Sequence, residues 1–131
     1  FAFNDGNKDM GDSCITETLG MGGFAMSAAP AIIKSIGGTA EDAIHCSRRM
    51  YEITTNQNPA FTVPADNFKG LPLGIDMLKV IKKRILPIIN TSIAHKNPGV
   101  GQIGTGIVTP PFECFEKAYN EFISKYSKSL S

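Results

Sequence analysis

The sequence predicts a mixed α+β domain, rich in helix, with about four helices and a small sheet. Three observations carry that prediction. Apolar residues recur at helical spacing over Ala40 to Thr54, Ile75 to Arg84 and Phe112 to Tyr126. A short β-branched run, Leu86 to Ala94, reads as a strand, with Gly104 to Val108 as its partner. Helix and strand alternate too irregularly for a doubly wound sheet. The 131 residues are enough for one domain and too few for two, so residues 1–131 are read as a single unit. At 14.1 kDa a folded chain exposes about 6,700 Å² against about 20,000 Å² unfolded, which allows a real core without staples.

Taken in order, Asn4 to Asp12 is rich in Asn, Asp and Gly and is expected to be loop. Phe24 to Ile36 is small and apolar, a buried helix that Pro30 must kink or restart and Gly37-Gly38 ends. Thr39 is a good N-cap, with Asp42 in the capping-box position, for a surface helix over Ala40 to Thr54. Its outer face carries Glu41/His45 and Arg48/Glu52 at the i,i+4 spacing that pairs charges. Lys82, Lys83 and Arg84 fall in the last turn of the next helix, where the dipole favours cations. Pro110-Pro111 pre-sets the first turn of a final helix. There Phe112, Phe115, Tyr119, Phe122 and Tyr126 form one stripe, read as core or subunit interface, with Glu113/Lys117 and Glu121/Lys125 paired outside. The polar run Ser124 to Ser131 reads as a fraying tail.

Composition narrows the function. Hydrophobic residues are 42% and charged ones 19%, which argues against disorder. No apolar run is long enough to cross a bilayer. A net charge of +1 gives no electrostatic reason to expect nucleic acid or an anionic membrane. Cys14, Cys46 and Cys114 are odd in number and lack metal spacing, so buried free thiols in a reducing cytoplasm are expected, with no metal site and no cofactor. The chain opens Phe1-Ala2-Phe3 without an initiator Met, as if cut from something longer.

Two clusters can carry chemistry. The first runs from Asn90 to Gly106, a strand leading into His95-Lys96 and then alternating glycines. It contains G-x-G-x-x-G at Gly99, Gly101 and Gly104, but a dinucleotide site needs a helix directly afterwards, and Ile107-Val108-Thr109-Pro110 forbids one. What survives is a bare backbone able to turn N–H groups toward an anion. His95 can polarise a carbonyl or move a proton, and Lys96 can hold an anion. The second cluster holds Asp9, Asp12 and Glu17, then Gly20, Gly22 and Gly23. Its carboxylates match no calcium loop; its glycines either seat an anion or let the next helix pack closely.

The strings also resemble a family. Asp9-Met10-Gly11-Asp12-Ser13 through Gly23-Phe24-Ala25-Met26 is one block, and Met50-Tyr51-Glu52-Ile53-Thr54 and Gly74-Ile75-Asp76 are others. Ile85-Leu86-Pro87-Ile88-Ile89-Asn90-Thr91, Ile93-Ala94-His95-Lys96 and Pro98-Gly99-Val100-Gly101-Gln102-Ile103-Gly104 follow, with Gly106-Ile107-Val108 and Glu113-Cys114-Phe115. Together they resemble the C-terminal part of the YlbE-like (AllG) bacterial proteins. Two positions depart from that pattern: Arg84 and Ser92 stand where the family commonly has Gly.

The resemblance implies a reaction, carbamoyl exchange between oxalurate plus phosphate and oxamate plus carbamoyl phosphate in anaerobic allantoin breakdown. It also implies an FdrA-like subunit and a third subunit as partners. The Ser-Thr-Arg-Thr phosphate motif of familiar carbamoyltransferases is missing, so the likeness to them is of reaction and not of site. On this reading His95 polarises the carbonyl or shuttles a proton, and Asn90 and Thr91 orient the amide. Lys96, the backbone of Gly99, Gly101 and Gly104, Gln102 and Arg48 hold the anion. The competing reading is a non-catalytic docking piece, with the aromatic helix as its interface; a nucleotide-binding domain is the third.

Overall fold

The computed structural model describes residues 1–8 and 14–127. The fold is mixed α+β, with two small antiparallel sheets rather than one. Its α-helices are α1 (Cys14–Thr18), α2 (Pro30–Ser35), α3 (Ala40–Tyr51), α4 (Met77–Lys83) and α5 (Phe112–Tyr126). β1 (Thr54–Val63) pairs with β2 (Lys69–Ile75), and β3 (Ile89–Ala94) with β4 (Gln102–Val108).

The stretch expected as one buried helix is two elements. Gly22–Ala28 is a 3₁₀ helix that buries Gly23, Phe24 and Met26. Pro30 then sits at the first position of α2, so proline restarts the chain rather than kinking it. Gly37, at φ 87°, ends α2 as expected, its N–H donating to Lys34 and that of Gly38 to Ile33. α3 begins on the expected capping box: Asp42 N–H reaches Thr39 Oγ1 at 3.2 Å and Thr39 N–H reaches Asp42 Oδ2 at 2.8 Å.

α3 stops at Tyr51, because Ile53 turns inward and Thr54 starts β1. The β1–β2 hairpin was not expected from the sequence. Its exposed run of Asn56, Gln57 and Pro59 has no strand composition, and a register irregularity between Gln57 and Thr62 breaks the alternation. Asn58 is buried there and holds the bend, its Oδ1 accepting from Ala60 and Phe61 N–H. Ile75, expected to open the next helix, belongs to β2; Asp76 caps α4 by accepting from Leu78 N–H at 2.9 Å.

The core gathers Phe24, Met26, Ile33, Ala43, Met50, Ile53, Val80 and Ile88 around the 3₁₀ segment. Ser47 of α3 clasps that segment: its hydroxyl donates to Phe24 O at 2.8 Å and accepts from Ser27 N–H at 3.1 Å. α5 packs on α4, with Phe112 and Phe115 against the core, while Phe122 and Tyr126 are exposed. The stripe is therefore core at one end and open surface at the other. α5 includes Ser124 to Tyr126, which were expected in the tail, and residues 128–131 lie outside the described residues.

The expected helix-surface pairs give way to tertiary ones. Arg48 pairs with Asp66 at 2.5 Å, and Glu52 pairs with Lys83 across the surface. Neither Glu113/Lys117 nor Glu121/Lys125 closes to ion-pair distance. Long side chains follow the nearest opposite charge in space, which helical spacing alone does not reveal. Cys114 is exposed and Cys46 half-buried, so the expected burial does not hold for Cys114. Burial pushes the Cys46 thiol up.

Candidate functional site

β3 and β4 form a ladder with Asn90 opposite Ile107, Thr91 opposite Gly106 and Ile93 opposite Gly104. Gly104 lies inside β4 and opens no helix, which removes the structural basis for a dinucleotide fingerprint. Between the strands, residues 95–101 form an exposed turn in which Gly99 and Gly101 adopt φ 84° and 88°. Only glycine takes that conformation without strain. Both lie in open space, and among the described residues their N–H groups enter no turn or loop hydrogen bond within the chain.

His95 stands at the start of this turn, half-buried. Its N–H donates to Gly101 O at 2.9 Å, and its Nδ1 accepts from Asn97 N–H at 2.9 Å. A ring nitrogen that accepts carries no proton, so the neutral imidazole bears its hydrogen on Nε2. The local sequence therefore sets the tautomer and leaves a donor on the far edge. The ring of Phe1 meets the imidazole edge-on at 5.5 Å.

The N-terminal segment docks on this corner. Gly6 bridges to His95, Asn7 N–H reaches Ala94 O at 2.8 Å, and Lys96 N–H reaches Asp5 O at 2.8 Å. The expected loop is thus a short 3₁₀ turn, Phe3–Asp5, followed by a single bridge at Gly6; Asp9 and Asp12 lie outside the described residues. Lys96 Nζ holds Asn4 O at 2.7 Å and lies 3.4 Å from Asp5. The Ala2 N–H, with Lys96 beside it, keeps the Asp5 carboxyl below the usual carboxylate range. Under the segment lies a cavity of about 740 Å³, lined by Phe1, Phe3, Thr91, Ile93, Gly106 and Val108 among others.

The strand alternation separates some candidates. Asn90 and Thr91 are neighbours on β3, so their side chains leave opposite faces. Thr91 lines the cavity beside Phe1, on the His95 side. Arg48 is on α3, paired with Asp66, which its guanidinium holds below the usual carboxylate range. Gln102, opposite Ala94, is exposed at the turn. The structure brings His95, Lys96, Gly99, Gly101 and Gln102 to one corner and leaves Arg48 on another element.

One residue gains a role that the sequence did not assign. Glu17 is fully buried, and its Oε1 accepts from Gly23 N–H at 2.8 Å and Asn90 N–H at 3.1 Å. Within the glycine run it is the Gly23 N–H that is engaged, and its acceptor is the chain's own carboxyl group, not an outside ligand. Close packing holds as well, since a Cβ on Gly23 would lie 2.2 Å from Ile88 O. The signal available in the sequence was a lone Glu five residues ahead of Gly22. Among the described residues no three His, Cys, Asp or Glu side chains gather as a metal site, and no helix is long and apolar enough to cross a membrane.

No family model matches the chain. It is 56% identical over 122 residues to the uncharacterized protein YahG of Escherichia coli strain K12, covering 93% of this chain and 26% of that protein. It is 47% identical over 119 residues to the oxamate carbamoyltransferase subunit AllG of the same strain, covering 90% of this chain and 28% of AllG. A crystal structure of a conserved protein of unknown function from Enterococcus faecalis V583 superposes with a TM-score of 0.86 at 51% identity, covering 95% of this chain and 30% of that one. The chain thus spans less than a third of the length of each of these proteins. Across nearly all of its own residues it corresponds to a part of the AllG/YlbE-like proteins.

Proposed function

We propose that the chain is part of a carbamoyltransferase subunit that interconverts oxalurate plus phosphate and oxamate plus carbamoyl phosphate. The observation that carries this is its 47% identity to the oxamate carbamoyltransferase subunit AllG. The fixed tautomer of His95 supports it. A phosphate oxygen attacks the ureido carbonyl carbon, the bond from that carbon to the oxamate nitrogen breaks, and that nitrogen takes a proton. Charge builds on the carbonyl oxygen, and His95 Nε2–H is a donor suited to it. The N–H groups of Gly99 and Gly101, with Lys96 and Gln102, line the corner where an anion would rest. Asn90 and Thr91 position the strand below, and Arg48 contributes from α3 if the assembled protein frees it from Asp66. An FdrA-like subunit and a third subunit complete the site, in the cytoplasm and without a cofactor.

The test is phosphate-dependent oxalurate breakdown by the assembled complex. His95→Ala is expected to lower turnover about 100- to 1,000-fold, the usual cost of one oxyanion donor. Normal turnover would remove His95 from the chemistry. Unchanged activity when the whole subunit is omitted would remove the enzymatic reading.

A second reading, subunit docking, draws on the exposed apolar surface. Phe1, Phe3, Val108, Phe122 and Tyr126 contribute to that surface. The two readings are compatible, since a subunit can both dock and donate groups.

A further inference from the structure

A different part of the molecule collects more positive than negative charge: Lys69 and Lys79 lie near Asp66 and Glu52, but those two acids are already paired with Arg48 and Lys83. Tyr51 closes α3, Lys69 opens β2, and Lys79 lies in the first turns of α4. Lys69 and Lys79 are both half-buried, which is uncommon for lysine unless the ammonium has something to hold. They face one concave volume of about 490 Å³, whose other walls are Tyr51, Thr54, Thr55, Asn56 and Gln57.

No carboxylate lines this pocket. Lys69 Nζ rests 3.5 Å from the centroid of the Tyr51 ring, and Lys79 Nζ donates to Thr54 O at 2.6 Å. An ammonium has three donors, so each of these contacts leaves N–H groups to spare. Neither lysine forms an ion pair within the described residues, whereas nearby Arg48 and Lys83 are taken by Asp66 and Glu52. The Tyr51 hydroxyl donates to Gly70 O at 2.7 Å, which fixes the ring as the platform for Lys69.

We infer that this pocket binds a phosphate group, with Lys69 and Lys79 as its two cations. Two ammonium groups balance a dianion, which favours phosphate over a monocarboxylate. Asn56 and Gln57, both exposed at the rim, supply further donors. The volume exceeds what a bare phosphate fills, so the group is either free or carried on a small organic molecule. The sequence concealed the site, because Lys69 and Lys79 are ten residues apart on a strand and a helix.

The experiment is calorimetric titration of the assembled protein with inorganic phosphate, with a simple phosphate monoester (glycerol 3-phosphate), and with acetate. Saturable phosphate binding is expected, with acetate much weaker. Lys69→Gln and Lys79→Gln should each weaken it about tenfold to 100-fold, the loss expected from one charge-assisted hydrogen bond, in variants whose cooperative unfolding shows that they remain folded. Tighter binding of the monoester supports an organic carrier, and equal binding supports free phosphate. Absence of saturable binding overturns the inference. So does phosphate binding that survives both lysine variants at full strength, or that is lost in His95→Ala alone and so belongs to the turn. The carbamoyltransferase reading can fail its own assay while this titration succeeds, so the two failures are distinguishable.

Discussion

Glu17 Oε1 lies 2.8 Å from the amide nitrogen of Gly23, and the same oxygen holds the amide of Asn90 at 3.1 Å. One buried carboxylate thereby ties the 3₁₀ segment of the core to β3, the strand that leads to His95. A buried carboxyl group is tolerable only with such partners, and its removal orphans two N–H groups.

Glu17→Ala is therefore expected to cost about 2–4 kcal/mol, read from urea unfolding. Gly22 is coupled to it, since Gly22 has φ 62° and a Cβ there would lie 2.2 Å from Glu17 Oε1. Gly22→Ala should destabilise on its own. The double variant should cost less than the sum of the two, because the clash vanishes with the carboxylate. Simple additivity would show that the contact does not constrain Gly22.

Arg84 closes α4 in left-handed backbone at φ 54°, with its guanidinium 4.6 Å from the Phe112 ring. A glycine would fit that backbone without cost, and the arginine offsets its strain by stacking on α5. Arg84→Gly should stay within about 0.5 kcal/mol of wild type, because the relieved strain and the lost stacking are of similar size. Arg84→Ala keeps the strain and loses the stacking, and should be about 1 kcal/mol less stable than Arg84→Gly. Equal stability of the two variants would deny the strain.

These two features mark the limit of what the sequence discloses. The capping box at Thr39, the stop at Gly37-Gly38, the proline-led α5 and the β3–β4 hairpin were legible because each is encoded by adjacent residues. The β1–β2 hairpin was not, since Asn56-Gln57-Asn58-Pro59 carries no β propensity and is held by Asn58 and by packing on the rest of the fold. The Arg48–Asp66 pair and the Glu17 clasp join residues 18 and 73 positions apart, respectively, when Asn90 is taken as the partner of Glu17. Local spacing instead pointed to Glu52 for Arg48 and to an outside ligand for the glycines. In the candidate site the corner around His95 could be read from its motif, whereas the separation of Asn90 from Thr91 follows only once the strand is placed.

The α3 cap carries a pH signature. The Thr39 N–H, followed by the Thr39 hydroxyl, holds the Asp42 carboxyl below its ordinary value. A depressed folded value means that the contribution is complete above the unfolded Asp pKa of about 3.9 and is lost as pH falls through the lower folded value. Glu52 beside Lys83 and Asp66 beside Arg48 act with the same sign. Thr39→Ala should cost about 1 kcal/mol at neutral pH. Asp42→Asn should be less stable than wild type at neutral pH, and the gap should close as pH falls below the unfolded Asp value of about 3.9. A constant gap across that range would assign the effect of Asp42 to something other than its charge.

The last turns of α5 separate stability from assembly. Phe115 packs against the core, whereas Phe122, Ile123 and Tyr126 are 46%, 41% and 47% exposed. Phe122 and Tyr126 touch each other at 5.1 Å between ring centroids, so they present one apolar knob. Replacing both with Glu removes little buried surface and should shift unfolding by no more than about 0.5 kcal/mol. Phe115→Ala, by contrast, should cost about 2 kcal/mol because its ring is half-buried. If the knob is an interface, the double Glu variant should weaken subunit association about 30-fold in sedimentation, the scale of one hot spot. Association at wild-type strength would leave the knob as ordinary exposed surface and would move the docking face to the apolar edge formed by Phe1, Phe3 and Val108.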